Sequence, residues 1–578
     1  MLSRAAIFLL CFILGCWSST LLLVTKVGAG GALLRGEGFA IGEGRIFPPW
    51  LWIKWFYLYG ERFQSVFLKT MWPIYASVIV GITIAWVSRI FLEKKKISTA
   101  HGSSRWSQES ELVDTGLTKG AGVVLGQSME SKMLLCHDGP EHVLAIAPTR
   151  GGKGVGLVVP TLLSWPESTV VFDPKGENWQ ITSGYRSGFG QCFCFDPTSP
   201  DTARFNPLAE IRKGDLEVKD AQNIADIIVD PDGRLETRNH WQNAAHSLLV
   251  GTILYVLHAY PRKSLAGVVE FLTKPGVDFE KTLEEMSKSA HTVVTSVAQE
   301  MLNKHIEERS GVLSTAISLL SIFRDPLVAS ATDAHDFSIA ALRDASKPVS
   351  LYLVLPPSDI SRLRVLLRIM LNQIGRVLTE QQIVQGAGQR RILFLLDEFP
   401  ALGRLEFFES ALAYMAGYGI KAFLICQSLN QLQKSYGERN AILDNCHVRV
   451  AFANNDDQTA RRLSDLMGEQ TLTKEQTSVS GSRFAMIKPS SSISKIEFAR
   501  PLLLPAEINR LPKDQEIILI NGMFPILANK LRYYEDRRFT VRLLPACELQ
   551  KRAQLPIKAS IKEILPAVEH AKPLGSAL

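Results

Sequence analysis

Two long uncharged runs near the N-terminus set this region apart from the rest of the chain. Ala5 to Thr25 holds 21 residues without a charge, and Thr70 to Ser88 holds 19. A helix rises about 1.5 Å per residue, so runs of this length match a hydrocarbon core of about 30 Å. Aromatic residues of the type that favours a membrane interface lie near the ends of the second run, namely Trp72, Tyr75 and Trp86. We predict a two-helix transmembrane hairpin with spans at about 5–25 and 70–91 and a loop at 26–69.

The charges around these runs predict the orientation of the hairpin. A basic cluster directly follows the second run and consists of Arg89, Lys94, Lys95 and Lys96. Because positive residues are enriched on the cytoplasmic side of membranes, we expect the C-terminal body and both termini to lie inside. A cleaved signal peptide is the alternative for the first run, since Leu14 to Cys16 weakly resembles a lipoprotein cleavage site.

The loop between the two runs carries an apolar segment of its own, WLWIKWFYLY at Trp50 to Tyr59. Such a segment either lies along the membrane surface or packs against another membrane protein. The sequence leaves these two interpretations equally open.

After residue 96 the hydrophobic pattern becomes that of an α/β protein. Short apolar runs that predict buried strands occupy 141–147, 168–172, 349–355, 391–396 and 421–426. More than 200 residues separate the run at 168–172 from that at 391–396, which is too many for a loop. Within this interval, apolar positions in 211–346 recur at helical spacing. We therefore predict a discontinuous α/β domain at 97–210 and 347–545. An all-α domain at 211–346 would interrupt it, and a tail would follow at 546–578.

Composition indicates a folded chain without a general affinity for nucleic acid. The chain is 46% hydrophobic and 21% charged, which excludes extensive disorder. Its formal charge of +7 comes from residues 1–96, with 11 Lys and Arg against four Glu, while residues 97–578 carry 53 charges of each sign. Any contact with DNA phosphates must therefore be local. Eight cysteines without regular spacing fit a reducing compartment, and Cys192 and Cys194 alternate with apolar residues as in a strand.

A glycine-rich segment, APTRGGKGVG, separates the first predicted strand from a helix-compatible stretch. The backbone N–H groups of such a loop form a positive pocket for phosphates, and Lys153 adds a point charge. The chain departs from the usual GxxxxGK[ST] pattern at Ala147 and Gly154. Without a hydroxyl residue after the lysine, Mg²⁺ would take its ligands from water, nucleotide and carboxylates, or from Thr149 or Thr161. The expected nucleotide-binding residues are Ala147, Pro148, Thr149, Arg150, Gly151, Gly152, Lys153, Gly154 and Asp173.

Polar side chains follow three of the other predicted strands. Asp173, the Asp397–Glu398 pair and Gln427 each come directly after an apolar run. Ligands of open parallel sheets bind beyond the carboxyl ends of the strands, so these side chains should lie near the glycine loop. We predict that Asp397 positions Mg²⁺ through water and that Glu398 polarises the attacking water. Gln427 would sense the γ-phosphate, with surface capping as its alternative, and Lys153 completes the set of candidate catalytic residues.

In several ordered segments the chain resembles the TraG-type coupling proteins of type IV secretion and conjugation systems. The matching segments are HGSSRW at 101–106, APTRGGKGVG at 147–156, VVFDPKGE at 170–177, LFLLDEFPALGRLE at 393–406, QSLNQL at 427–432, NCHVRVAFANNDDQTARRLSDLMG at 445–468 and RPLLLPAEINRLP at 500–512. The two N-terminal spans belong to the same pattern. Members of this family also resemble the chain in lacking a strict hydroxyl residue after the lysine.

The resemblance implies a RecA-like P-loop NTPase domain with an all-α insertion domain, preceded by the transmembrane hairpin. It implies a hexameric ATPase of the bacterial inner membrane, with ATP and Mg²⁺ as cofactors, a cytoplasmic ATPase domain and a periplasmic loop at 26–69. Its partners would be components of the secretion channel and either a relaxase–DNA complex or effector proteins. The segment 211–346 would sit at the cytoplasmic mouth of the ring and take part in substrate intake.

An arginine from a neighbouring subunit is expected to complete each site, and the sequence does not identify it. The candidates are Arg150, Arg404, Arg449, Arg461 and Arg462. In other phosphoryl-transfer systems such a residue accelerates the reaction by roughly 10³ to 10⁵.

Three further features indicate structure rather than chemistry. His240 and His246 are six residues apart, a spacing that does not place two metal ligands on one helical face. The Ser- and Thr-rich stretch from Thr471 to Ser494 predicts a surface hairpin, with a pore loop as the alternative. Some members of the family that the chain resembles end in an acidic extension used for recruitment, and the tail at 546–578 holds no acidic block, which argues against capture of cargo by the tail.

Two other functions are compatible with these motifs. A double-stranded DNA translocase of the chromosome-segregation type would bind duplex DNA broadly, with a steep dependence on salt. A docking receptor would bind nucleotide only to set its oligomeric state, and cargo transfer would survive loss of the catalytic carboxylate. The sequence does not decide between DNA with its relaxase and protein alone as cargo.

Overall fold

Two compact units make up the chain, Met1–Ser98 and Thr99–Leu578. A computed structural model describes residues 4–28, 38–41, 44–92, 99–233, 237–380, 389–480 and 490–549. The division falls two residues after the expected end of the membrane anchor. Most of the expected tail at 546–578 lies outside the described residues.

In the described part of the first unit, the regular elements are helices apart from one short antiparallel strand pair. Its elements are α1 (Arg4–Val27), β1 (Phe39–Ile41), β2 (Gly44–Ile46), α2 (Leu51–Tyr59), α3 (Gln64–Thr70) and α4 (Trp72–Leu92). Helical stretches at Phe8–Val27 and Gln64–Ile84 are long and apolar enough to cross a membrane, judged by length and composition. A Cβ on Gly15 would lie 2.0 Å from the Ser77 hydroxyl oxygen, so α1 and α4 approach closely at this glycine.

The apolar loop segment at 50–59 forms α2 and packs within its own unit. Its buried side chains are Leu51, Trp52 and Trp55. They share a core with Leu23 of α1 and Phe67 of α3. The Trp52 indole also donates a hydrogen bond to Thr70 Oγ1 at 3.0 Å. The outer face stays open, since Tyr57 is 88% exposed.

Among the described residues of the second unit, one sheet of eleven strands forms the centre and a separate pair of strands stands beside it in the topology. The strands of this unit are β3 (Val123–Ser128), β4 (Leu134–His137), β5 (Val143–Ile146), β6 (Ser168–Asp173), β7 (Gln191–Phe195), β8 (Val349–Val354), β9 (Ile392–Leu396), β10 (Ile420–Cys426), β11 (Val448–Ala451), β12 (Glu469–Ser480), β13 (Ser490–Pro501), β14 (Gln515–Ile520) and β15 (Ile526–Asn529). The order in the large sheet is β4-β3-β15-β14-β11-β5-β10-β9-β6-β8-β7. The seven strands from β11 to β7 are parallel, and the other four extend the sheet in antiparallel pairs.

Helices cover this sheet and also form the long excursion between β7 and β8. Those around the sheet are α5 (Glu109–Asp114), α6 (Val159–Ser164), α7 (Glu177–Ser187), α16 (Ile360–Leu378), α17 (Glu406–Met415), α18 (Leu429–Tyr436), α19 (Ile442–Asn445), α20 (Asp457–Met467), α21 (Pro505–Asn509) and α22 (Arg537–Thr540). Those of the excursion are α8 (Glu217–Val229), α9 (His240–Ala259), α10 (Leu265–Leu272), α11 (Phe279–Ser287), α12 (Thr292–Leu302), α13 (Ile306–Leu319), α14 (Pro326–Thr332) and α15 (Ala341–Asp344). In the described part of the excursion, every regular element is helical.

The core lies on both faces of the sheet, which explains the continuous apolar strands. On β5, Leu144 and Ile146 join the cluster that includes the helical excursion, whereas Val143 and Ala145 join the cluster on the opposite face. Successive side chains of a strand point to opposite faces, so a strand covered on both sides must be apolar throughout. Because β5, β10, β9 and β6 are neighbouring parallel strands, the polar residues that follow them lie at one edge of the sheet.

The structure confirms two of the smaller predictions and gives the partners of two histidines that the sequence singled out. Cys192 and Cys194 lie in β7. His240 contacts Glu308 and His246 contacts Asp226, so these histidines have separate partners. The Ser- and Thr-rich stretch forms the antiparallel pair β12–β13. The residues that join these two strands, 481–489, lie outside the described residues.

Candidate active site

The glycine loop connects β5 to a helix and leaves its upper side open. Arg150 and Gly152 take left-handed backbone conformations, with φ of 60° and 91°, which turn the chain sharply. One π-helical turn, Gly154–Val158, continues directly into α6. Apart from chain neighbours and, at Gly154, the backbone of its own helix, no described atom lies within 4 Å of the place a Cβ would take on Gly152 or Gly154. A cradle for phosphates requires such open backbone.

The Lys153 ammonium lies between the two carboxylates that follow β9. Its Nζ is 2.8 Å from Asp397 Oδ1 and 2.9 Å from Glu398 Oε2. These side chains are less than one-fifth exposed, at 17% for the lysine and 19% for each acid. Glu398 also has a left-handed backbone, with φ of 58°, a conformation that a non-glycine residue rarely adopts. The predicted meeting of the glycine loop with the strand-end acids is therefore present in the structure.

Two glutamine amides bind the other oxygen of Glu398. Gln427 Nε2 donates to Glu398 Oε1 at 2.7 Å, and Gln431 Nε2 donates to the same atom at 2.6 Å. Gln431 Oε1 in turn accepts the backbone N–H of Gln427 at 2.9 Å. Ser428 caps α18, so the capping interpretation of Gln427 is wrong. Sequence analysis missed Gln431, and its spacing of four residues from Gln427 was the available signal.

Mutual attraction favours the ionised forms of Lys153 and Glu398 despite their burial. Burial disfavours the Lys153 ammonium, but Asp397 and Glu398 outweigh this effect and raise its pKa. Burial also disfavours the Glu398 carboxylate, yet the Gln431 amide and Lys153 hold its pKa below the ordinary value. An ionised carboxylate in a fixed orientation is the state that a general base requires.

Asp173 ends β6 and is committed to the backbone of α7. It is 1% exposed, and its Oδ2 accepts the N–H of Trp179 at 2.9 Å. Burial raises the pKa of Asp173 to about 6, and the nearby Asp397 adds to the rise. Asp173 therefore lies near Asp397, the candidate metal ligand, but the two carboxylates have different partners. Asp173 accepts a backbone N–H of α7, whereas Asp397 pairs with Lys153.

We expect the substitution Asp173→Asn to stabilise the protein more at pH 8 than at pH 5. The pKa of the Asp173 carboxyl is 3.8 in the unfolded chain and about 6 in the folded one. The folded protein therefore binds more protons in this window, and its stability falls as pH rises through it. The amide keeps the acceptor for Trp179 and has no charge to bury. Between the two pH values, the gain in unfolding free energy should grow by about 1.5 kcal/mol. Urea titrations of the solubilised protein would measure it, and a gain independent of pH would contradict the assignment.

A lysine that sequence analysis did not single out contacts the glycine loop. Lys530 Nζ donates to the Gly151 carbonyl oxygen at 3.1 Å and lies 3.8 Å from the centre of the Phe452 ring. It lies near Glu516, which is wholly buried and whose pKa burial raises well above its ordinary value. Lys530 follows β15 in the antiparallel part of the sheet, and no local motif marks it.

The structure narrows two sets of candidates left open by the sequence. Thr161 is wholly buried and its Oγ1 accepts the Val124 N–H at 3.0 Å, so it is not available to Mg²⁺, whereas Thr149 is exposed. Arg449 is buried on β11 and donates to the Leu443 carbonyl at 2.9 Å, which does not suit a residue reaching into another subunit. The arginine candidates with exposed or half-exposed side chains are Arg150, Arg404, Arg461 and Arg462.

Comparison with known proteins connects this geometry to a family. Residues 94–555 match the model of the family described as type IV secretory system conjugative DNA transfer. The chain belongs to this family. The resemblance inferred from the motifs is thereby confirmed.

Two known proteins are similar to this chain over most of its length. A conjugal transfer protein TraG of Escherichia coli is 37% identical over 573 residues, covering 89% of this chain and 90% of the relative. Protein VirD4 of Agrobacterium fabrum is 31% identical over 484 residues, covering 80% of this chain and 69% of the relative.

A solved structure shares the fold of this family member. The plasmid coupling protein TrwB in complex with ADP and Mg²⁺ has a TM-score of 0.54 and 18% sequence identity, covering 74% of this chain and 94% of TrwB. The likeness and the mixed sheet confirm the expected fold class, a RecA-like α/β domain with helical additions.

Proposed function

We propose that this chain is the ATP-hydrolysing coupling protein of a type IV secretion system, anchored in the bacterial inner membrane by residues 1–96. It would recruit a relaxase–DNA complex or effector proteins and deliver them to the secretion channel. The observation that carries the proposal is the position of Lys153 between Asp397 and Glu398 at an open glycine loop. Membership of the conjugative DNA transfer family supports the transfer function.

The residues of the site fit ATP with Mg²⁺. The open backbone at Gly152 and Gly154 leaves room for phosphate oxygens, and Lys153 supplies the positive charge. Asp397 offers the oxygen ligands that Mg²⁺ prefers, with water between them. TrwB, which shares the fold, is solved both with ADP and Mg²⁺ and with a non-hydrolysable ATP analogue. When bound, the nucleotide with its metal would supply the phosphoanhydride bond whose hydrolysis drives transfer.

The side chains around the loop divide the work of hydrolysis. Lys153 moves from the two carboxylates to the phosphate oxygens, which frees Glu398 to accept a proton from water. Gln427 and Gln431 keep the Glu398 carboxylate in one orientation, as their bonds to its Oε1 at 2.7 and 2.6 Å indicate. Gln431 lies in α18 and Gln427 lies just before it. A shift of the Glu398 side chain on nucleotide binding would therefore move α18 through these two hydrogen bonds, towards the interior of the ring.

The assembly and topology follow as parts of the same proposal. Six copies would form a ring in which an exposed arginine of one subunit completes the site of the next. The helical excursion, 211–346, would receive the cargo, and the loop at 26–69 would face the periplasm. The two apolar helical stretches of the first unit support the anchor, and the net charge of zero in residues 97–578 supports local contacts with cargo.

A transfer assay tests the proposed function against the docking receptor. A donor strain that lacks its own copy of this protein receives either the native chain or Glu398→Gln, and the frequency of cargo transfer is measured. We expect the variant to lower transfer on the order of 10²- to 10⁴-fold, the usual contribution of a general base. Glu406→Gln, at an exposed position in the first turn of α17, is the matched control and should transfer normally. Transfer at the native level by Glu398→Gln would favour the docking receptor.

Salt dependence separates the coupling protein from the duplex translocase. Each phosphate neutralised on duplex DNA adds about 0.9 to the slope of log affinity against log salt. Residues 97–578 carry 53 charges of each sign. We therefore expect a shallow slope, of the size that only a few phosphate contacts produce. A slope near that of a protein with many phosphate contacts would support the translocase instead.

A further inference from the structure

Three side chains of the helical excursion converge on one point. Glu217 lies in the first turn of α8, His258 in the last turn of α9 and His291 directly before α12. The Nε2 atom of His258 is 2.9 Å from Glu217 Oε2, and that of His291 is 3.1 Å from Glu217 Oε1. Among the described residues, this is the one group of three His, Cys, Asp or Glu side chains whose ligand atoms all lie within 4.8 Å of one another.

Within the described residues, the carboxylate of this group is paired only with histidines. Glu217 is 8% exposed, and in the described part of the chain its ion-pair partners are His258 and His291 alone. A buried carboxylate is costly unless a positive charge compensates it. Protonated imidazoles would compensate this carboxylate, and so would a divalent cation held by all three groups, which does not require the histidines to be protonated.

The two histidines leave room and proton positions that suit a metal. The Nδ1 of His291 is buried and makes no hydrogen bond to the described residues, and a bound metal ion would replace the contact between His291 Nε2 and Glu217, with the ring proton moving to Nδ1. The Nε2 lone pair of His291 would then face the centre of the group. The side chain of His258 is 40% exposed, and it lines, with His291, an open cleft of about 660 Å³. Water from this cleft can supply a further ligand.

We propose that Glu217, His258 and His291 bind a divalent transition metal ion, with zinc as the best match. Two imidazoles, one carboxylate and an open position for water form a recurrent donor set for Zn²⁺. The ion would tie together α8, α9 and the start of α12, three elements of the excursion that we propose receives the cargo. The metal site itself is independent of the nucleotide site and of its proposed role.

Direct measurement of zinc on the full chain tests the site. The protein is purified in detergent without a polyhistidine tag, stripped with a chelator and dialysed against Zn²⁺ alone, and bound metal is measured by mass spectrometry. We expect one ion per chain in the native protein. His258→Ala and His291→Ala should each weaken binding by on the order of 100-fold, since even residues outside the ligand set cost 10- to 100-fold. His240→Ala is the matched control and should bind normally, because its imidazole pairs with Glu308 at 3.0 Å and lies outside the group of three.

A second readout keeps the test valid if a histidine variant folds poorly. Zn²⁺ should raise the thermal unfolding temperature of the native chain but not that of Glu217→Gln, which preserves the size of the side chain. Equal zinc uptake by the native chain and the His258→Ala, His291→Ala double variant would overturn the proposal. Absence of zinc uptake by the native chain would do the same and would define the group as a hydrogen-bonded His–Glu–His contact. Both readouts measure metal rather than ATP hydrolysis, so failure here leaves the proposed function untouched.

Discussion

With Lys153 replaced by alanine, the chain is expected to lose measurable ATP binding and to hydrolyse ATP on the order of 10³-fold more slowly. The first cause is the loss of the positive charge that meets the phosphates. The second cause lies in the free site, where Asp397 and Glu398 share the lysine at 2.8 and 2.9 Å. Without it, two largely buried carboxylates repel each other, and one of them takes up a proton. A protonated Glu398 cannot act as a base.

Two assays and one control variant separate these effects. Fluorescent-nucleotide titration measures binding, and phosphate release measures hydrolysis, both on the solubilised full chain. Lys175→Ala removes a lysine that follows a neighbouring strand, with a side chain 69% exposed, and should leave both quantities unchanged. Native-level hydrolysis by Lys153→Ala would rule out the proposed site.

Glu398→Gln should bind ATP at least as well as the native chain but hydrolyse it 10²- to 10³-fold more slowly. The amide keeps the shape of the side chain but has no basic carboxylate to accept a proton from water. Binding persists because Lys153 is then released from one of its two acidic partners and remains available to phosphates. The expected pattern is therefore the reverse of that for Lys153→Ala, in which binding itself is lost.

Single-turnover hydrolysis with saturating ATP measures the effect on the chemical step. Gln431→Ala should give an intermediate loss of about 10-fold, since it removes one of two amides that orient Glu398 and leaves the base in place. Glu406→Gln again serves as the exposed control. A Glu398→Gln variant that binds poorly, or that hydrolyses at the native rate, would assign the base to another residue.

The parts of the nucleotide site with a local signature were predictable from the sequence. The strand, glycine loop and helix around Lys153 form one continuous segment, and Asp397 and Glu398 directly follow an apolar run. A parallel sheet collects the ends of its strands at one edge, so this pattern already implied their meeting. The helical excursion was also predictable, because apolar positions at helical spacing repeat over its length.

Residues whose role depends on packing were not predictable in this way. Gln431 became part of the site only through the left-handed turn at Glu398, and Lys530 reaches the loop from 379 residues away. Thr161 looked suitable for Mg²⁺ because of its position after the loop. Packing of α6 against β3 buries its hydroxyl on the Val124 N–H and removes it from consideration.

What the sequence alone determined is the strands that carry the motifs, the helical excursion, the two long apolar runs and the order of the motifs, since each depends on the chemistry of neighbouring residues. The tertiary structure decided which distant side chains share a charge or a hydrogen bond. Glu217 is separated by 41 residues from His258 and by 74 from His291, and no spacing rule relates them. Their meeting depends on how α8, α9 and α12 pack, because helix packing is set by the combined shape of many side chains rather than by any local pattern.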